Sequence, residues 1–77
     1  MEVHVQLYSI LREQLPPESR GRTVLELDVG TTLEDILNLL EIKRRVVIGV
    51  NGAHERDHLR PVQDGDEVKV FSAVSGG

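Results

Sequence analysis

The sequence contains no cysteine. That excludes disulfides, thiol nucleophiles, thiolate-held metals and iron–sulfur clusters, and it fits a reducing compartment. Aromatic residues are scarce, with one tyrosine and one phenylalanine. Long apolar runs are missing as well. The longest are of the size of Val46–Val47–Ile48, far short of the roughly 20 residues a membrane-crossing helix requires. The opening "MEVHVQLYSI" lacks the basic segment and apolar block of a secretory signal, so a cytoplasmic location is expected and no membrane association. Positive charge is outweighed. Nine Lys and Arg stand against thirteen Asp and Glu, for a net charge of −4. A mildly acidic chain is poorly suited to phosphate backbones, so no nucleic-acid partner is expected, and a basic groove on another protein would suit it better. No glycine-rich phosphate loop occurs. Gly49, Gly52 and Gly65 are isolated turn or strand glycines.

At 77 residues the chain has room for one domain, which would bury only about 60% of its unfolded surface. What is present is a set of short, well-patterned segments. "EVHVQLY" alternates, with Val3, Val5 and Leu7 on one side and Glu2, His4 and Gln6 on the other, as in a half-buried strand. "SILREQLPP" predicts a short helical turn that packs Ile10, Leu11 and Leu15 back on the core and stops at Pro16–Pro17. "ESRGR" is a polar turn around Gly21. "TVLELDV" alternates again, placing Leu25, Leu27 and Val29 on one face, and an antiparallel pairing with the first strand is the simplest arrangement.

Gly30 ends that strand and "TTLEDILNLLEI" begins a helix. Thr31 with Glu34 matches a capping box, and Thr32 with Asp35 is a near variant. Leu33, Ile36, Leu37 and Leu40 fall at i, i+3, i+4 and i+7, with Glu34, Asp35, Asn38 and Glu41 facing water. "RVVIGVNG" reads as a strand ending in Asn51–Gly52, a favoured hairpin turn. "AHERDHLRPVQ" holds one short edge strand, Asp64–Gly65 makes another turn, and "DEVKVFSAV" is the last strand, with Val68 and Val70 opposite Lys69 and Phe71. One helix and about five strands predict an α+β domain, a mixed sheet with the helix on one face. The first and last strands are expected side by side in the middle. If they run parallel, the C-terminal segment leaves at the sheet end away from the N-terminus.

Conventional catalytic groups are hard to assemble. His54 and His58 have metal-ligand spacing for a helix, but Pro61 and nearby turn residues argue against one and no third ligand is evident, so no metal site is expected. Ser9, Ser19, Ser72 and Ser75 lack a nucleophile-elbow context. Asp64, Asp66 and Glu67 read as a solvated turn. Lys43–Arg44–Arg45 follows the helix, where cations complement its dipole; contact with a partner is the sharper alternative. Phe71 reads equally as an aromatic left on the outer sheet face and as a docking anchor, and Val47, or Val46 if the register is shifted, would share its face.

The final stretch, "VFSAVSGG", attracts attention because the strand runs into Gly76 and Gly77. The expected organisation is a domain over 1–71 and a flexible tail over 72–77. A Gly–Gly segment threads a channel as narrow as a backbone, and six extended residues reach up to about 20 Å. A free carboxylate is ionised at neutral pH and must be activated before acyl chemistry. Transfer to a nucleotide phosphate gives an acyl-adenylate, which a sulfur nucleophile displaces to leave a thiocarboxylate.

One helix on a five-stranded mixed sheet, closing on a strand that runs into Gly–Gly, resembles the β-grasp, ubiquitin-like fold. "LREQL", "VNG" and "DGDEVKVFSAVSGG" more closely resemble the MoaD/ThiS sulfur-carrier family, and "YSILREQL" is similar to the helical insertion of the molybdopterin synthase small-subunit type. Ser72 and Ala73 stand where that type commonly has two prolines. The resemblance implies a carrier rather than a free-standing enzyme. Gly77 would be adenylated by an E1-like adenylyltransferase of the MoeB/ThiF type, which uses ATP and magnesium, while the carrier holds no stable cofactor itself. A sulfur donor would convert Gly77 to the thiocarboxylate. The carrier would then dock on a large molybdopterin synthase subunit of the MoaE type and deliver sulfur in molybdenum cofactor biosynthesis. Gly76 would provide clearance, with Phe71, Ser72, Ala73, Val74 and Ser75 at the partner interface. Sister carriers for thiamine, cysteine or tRNA thiolation, and a protein modifier conjugated through Gly77, share the same activation chemistry. A plain β-grasp interaction module is the remaining reading.

Overall fold

A computed structural model describes residues 1–73 of the chain. Alternation makes strand β1 (Glu2–Leu7), whose Val3, Val5 and Leu7 are buried while Glu2 and His4 face solvent. A 3₁₀ segment, Ser9–Gln14, leads to a second short one, Pro17–Ser19, and then to β2 (Arg22–Glu26). The single α-helix among the described residues, α1 (Leu33–Leu39), precedes β3 (Val46–Val50), β4 (Ala53–Glu55) and β5 (Glu67–Ser72). The sheet order is β2-β1-β5-β3-β4, with β1 parallel to β5 and every other pair antiparallel. The first and last strands are central neighbours, as expected, and they run parallel, in a mixed five-stranded sheet of the β-grasp, ubiquitin-like kind.

Helix α1 covers one face. Leu33, Ile36 and Leu37 enter the same buried cluster as Val3, Val5, Leu7, Ile48, Val68 and Val70. Burying one such aliphatic side chain contributes about 1.5–3 kcal/mol, so this stripe holds the helix on the sheet far more firmly than helix propensity could over seven residues. The hairpin between β3 and β4 turns at Asn51 and Gly52 with φ of 52° and 86°. Positive φ at both central residues matches the twist of the flanking strands, which is why Asn–Gly works there.

Four local expectations change. The N-cap is Thr32, not Thr31. Its Oγ1 accepts from the Asp35 N–H at 3.1 Å, and Asp35 Oδ2 accepts from the Thr32 N–H at 3.0 Å. Thr31 instead donates its hydroxyl to the Asp28 carbonyl, closing the turn that delivers the helix. Strand β2 ends at Glu26, so Val29 lies in that turn, 89% exposed, rather than beside Leu25 and Leu27. Ile10 is 46% exposed, because the tight 3₁₀ turn aims Leu11 at the core in its place.

The fourth change concerns the Asp64–Glu67 turn, which is built rather than simply solvated. Asp66 is 5% exposed. Its carboxylate accepts from Asn51 Nδ2 at 2.9 Å and from the Gln63 N–H at 2.8 Å. Asp64 Oδ1 accepts from the Glu2 N–H at 2.7 Å, and Asn51 Oδ1 accepts from the Glu67 N–H at 2.9 Å. These bonds tie the start of β5 to β1 and to the β3–β4 hairpin. The entry of β5 is thereby fixed, and with it the direction in which its far end points.

Candidate functional site

At the far end of β5, three residues gather on the face that α1 leaves uncovered. Phe71 points outward and is 39% exposed; its register partner on β3 is Val47, 38% exposed. The ring of Tyr8 stacks on Phe71, with centroids 4.4 Å apart and planes 13° from parallel. Tyr8 also donates its backbone N–H to the Val70 carbonyl at 3.1 Å, which continues the β1–β5 ladder past Leu7. Stacking of this kind adds about 0.5–1.5 kcal/mol beyond area burial. It also holds Phe71 in one orientation, so little side-chain entropy is left to lose on contact with a partner.

Phe71 and Val47 therefore sit together as the alternation predicts. Tyr8 was not anticipated. It shares the parity of His4 and Gln6, so its face was legible; its neighbour was not, because the pairing with Val70 and Phe71 spans more than sixty residues and depends on the β1–β5 register.

Ser72 belongs to β5 and is paired with Val46, and the Ala73 N–H donates to the Arg45 carbonyl at 3.1 Å. The β3–β5 ladder thus reaches the last described residue. Ala73→Pro removes that donor. The expected result is a stability loss of no more than about 1 kcal/mol, since exposed Arg45 can turn to water, together with faster amide exchange at Ser72. Unchanged exchange would mean that the bond does not hold the strand end. Val74, Ser75, Gly76 and Gly77, the other expected site residues, lie outside the described residues.

Other expected features separate from this place. His54 is in β4 and exposed, while His58 uses its backbone carbonyl to accept from the Glu34 N–H. Among the described residues, no group of three or more His, Cys, Asp or Glu side chains could hold a metal ion, and no helix is long and apolar enough to cross a membrane. A hollow of about 490 Å³ lies on the outer face of β2, β1 and β5, walled by His4, Arg22, Val24 and Glu67 among others. It is an open surface trough of mixed charge, and neither Phe71 nor Tyr8 lines it.

The ThiS family model matches residues 5–77. No curated protein matches. Among solved structures, subunit 1 and 2 of the molybdopterin-converting factor from Helicobacter pylori 26695, solved as a protein–protein complex, include a chain with TM-score 0.66 and 19% identity; the alignment covers 100% of both chains. The HVO 2177 protein of Haloferax volcanii gives TM-score 0.79 at 25% identity, covering 100% of this chain and 87% of that one. Small archaeal modifier protein 1 of H. volcanii gives 0.73 at 18% identity, covering 95% and 98%.

Proposed function

The chain belongs to the ThiS family, and on that premise we propose that it is a sulfur carrier whose Gly77 carboxylate is adenylated and then converted to a thiocarboxylate. The observation that carries this reading is the family match, which runs through Gly76 and Gly77. The fold supports it from a second side. Strand β5 is braced at its start by Asp66 and Asn51 and paired as far as Ala73. Such a body presents a C-terminal segment to another protein's active site.

In this reading an E1-like adenylyltransferase binds ATP and magnesium. The Gly77 carboxylate attacks the α-phosphorus, pyrophosphate leaves, and an acyl-adenylate forms. Hydrosulfide released by a sulfur donor then attacks the acyl carbon and AMP departs, leaving the thiocarboxylate. The absence of a side chain at Gly76 lets the segment enter a narrow channel. The large-subunit partner is of the MoaE type and the pathway that of molybdopterin. The solved complex of the two molybdopterin-converting-factor subunits supports the partner through a shared fold.

The Tyr8–Phe71–Val47 strip is the docking anchor. Phe71→Ser is expected to weaken binding to the large subunit by about 2 kcal/mol or more, roughly 30-fold, while lowering stability by only about 1 kcal/mol. Titration calorimetry beside a urea melt separates the two. Equal losses in both would reduce Phe71 to a structural role.

The function itself is tested by intact mass. The protein is incubated with the adenylyltransferase, Mg-ATP and a sulfur donor. A gain equal to one oxygen exchanged for sulfur at the C-terminus is the expected result. Higher-mass isopeptide conjugates would point to a protein modifier instead, and no change with a competent enzyme would sink both.

A further inference from the structure

The charged side chains of Lys43, Arg44 and Arg45 take part in none of the ion pairs found among the described residues. Helix α1 ends at Leu39, with no basic residue in its last turn, so the three cations do not complement its dipole as the sequence suggested. All three are exposed. The segment that carries them is nevertheless tightly held. Ile42, on one side, is 5% exposed and donates its N–H to the Leu37 carbonyl at 2.9 Å; Val46, on the other, is 7% exposed. Gln14 Nε2 bridges the carbonyls of Leu40 and Glu41 at 3.0 and 3.2 Å. Three consecutive cations are thus displayed between two buried anchors on a stapled loop, in a chain whose net charge is −4.

Their place gives them a use. The Arg45 carbonyl accepts from Ala73, so the cluster stands beside the last described residue. It also lies two residues from Val47, hence next to the Phe71 strip. Glu13 and Glu41 line a small hollow together with Lys43 and Arg44; they temper the field on that flank but leave Arg45 clear.

We propose that Lys43, Arg44 and Arg45 form a positively charged collar that docks on an acidic rim around the tail-accepting cleft of the activating enzyme. This rests on the carrier reading, and it reverses the expectation from net charge, which pointed to a basic partner surface. Fixed charges beside an apolar anchor steer encounter and set orientation more than they add affinity. A protein surface is the occupant favoured, because the cations adjoin an apolar, aromatic strip rather than a basic face wide enough to follow a phosphate backbone.

The probe is the organism's own E1-like adenylyltransferase, with association followed by stopped flow between about 30 and 300 mM salt, where the Debye length shortens several-fold. The wild-type rate is expected to fall about 10-fold across that range. The triple variant Lys43→Glu, Arg44→Glu, Arg45→Glu is expected to associate at least about 10-fold more slowly at low salt, with its salt dependence flattened or inverted. The corresponding triple Gln variant should lie between the two, and it serves as the test if the Glu variant does not fold. A variant rate and salt slope equal to wild type, while wild type is adenylated normally, would overturn the collar and leave the carrier reading intact. Wild-type protein that is never adenylated would sink the carrier reading and the collar with it. Wild-type binding to tRNA that the variant loses, with enzyme association unchanged, would reassign the collar to nucleic acid and overturn the proposal.

Discussion

Deleting Gly77 is expected to abolish thiocarboxylate formation while leaving the folded domain as stable as before. The deletion shifts the terminal carboxylate back by one residue, about 3.3–3.6 Å of extended chain. Misplacing a reacting atom by about 1 Å already costs on the order of 100-fold, so a whole residue removes measurable reaction. Gly76→Val is expected to do the same for a different reason, because two methyl groups would have to pass where the proposed channel takes only backbone. Both variants should melt at the wild-type midpoint, since the core residues all lie between Val3 and Val70. The measurements are pyrophosphate exchange, which reads adenylation, and intact mass, which reads sulfur. If the deletion variant keeps more than about 1% of wild-type adenylation, Gly77 is not the acyl group and the proposed chemistry is wrong.

Gly21→Ala is expected to be the most damaging single-methyl change among the glycines of the described chain. Gly21 has φ of +80°, and a Cβ built there would lie 2.5 Å from the Leu7 carbonyl oxygen and 2.8 Å from Arg12 Cγ. Arg12 is flexible and can withdraw. The Leu7 carbonyl belongs to central strand β1, and the Leu7 N–H donates to the Gly21 carbonyl at 2.7 Å, so neither backbone can move without the other. Left-handed strain of about 1–2 kcal/mol plus the forced backbone shift puts the loss near 2–4 kcal/mol. That is a large share of the roughly 4–12 kcal/mol typical of a domain this size, and it corresponds to a fall in melting temperature on the order of 10–20 °C. Gly30→Ala is the control. Its φ is +96°, but nothing lies within 4 Å of the added Cβ, so it should lose only the angular part, about 1 kcal/mol. Equal losses at the two positions in urea melts would show that backbone angle alone sets the cost at Gly21.

The sequence by itself determined whatever rests on short-range periodicity. Val3, Val5 and Leu7 had to share a face, as did Val68 and Val70, because strand side chains alternate. Leu33, Ile36 and Leu37 had to form one helical stripe, and Asn51–Gly52 had to turn, since few residue pairs accept positive φ twice. The lack of cysteine likewise excludes disulfides and thiolate chemistry whatever the fold.

Tertiary structure decided what depends on register and on distant neighbours. Thr31–Glu34 and Thr32–Asp35 are equivalent at the level of spacing; Thr32 prevails because Thr31 is engaged by Asp28, and its backbone is paired across to Val62. Asp66 reads as one more turn acid until Asn51, fifteen residues away, is folded against it. The stack of Tyr8 on Phe71 and the bond from Ala73 to Arg45 exist because parallel β1–β5 and antiparallel β3–β5 ladders happen to align those positions. Pairing between distant strands is chosen by the burial of whole faces at once, a condition no local pattern contains. For the same reason Lys43–Arg45 reads in sequence as a charge cluster complementing the helix dipole and stands, in the fold, beside the end of β5.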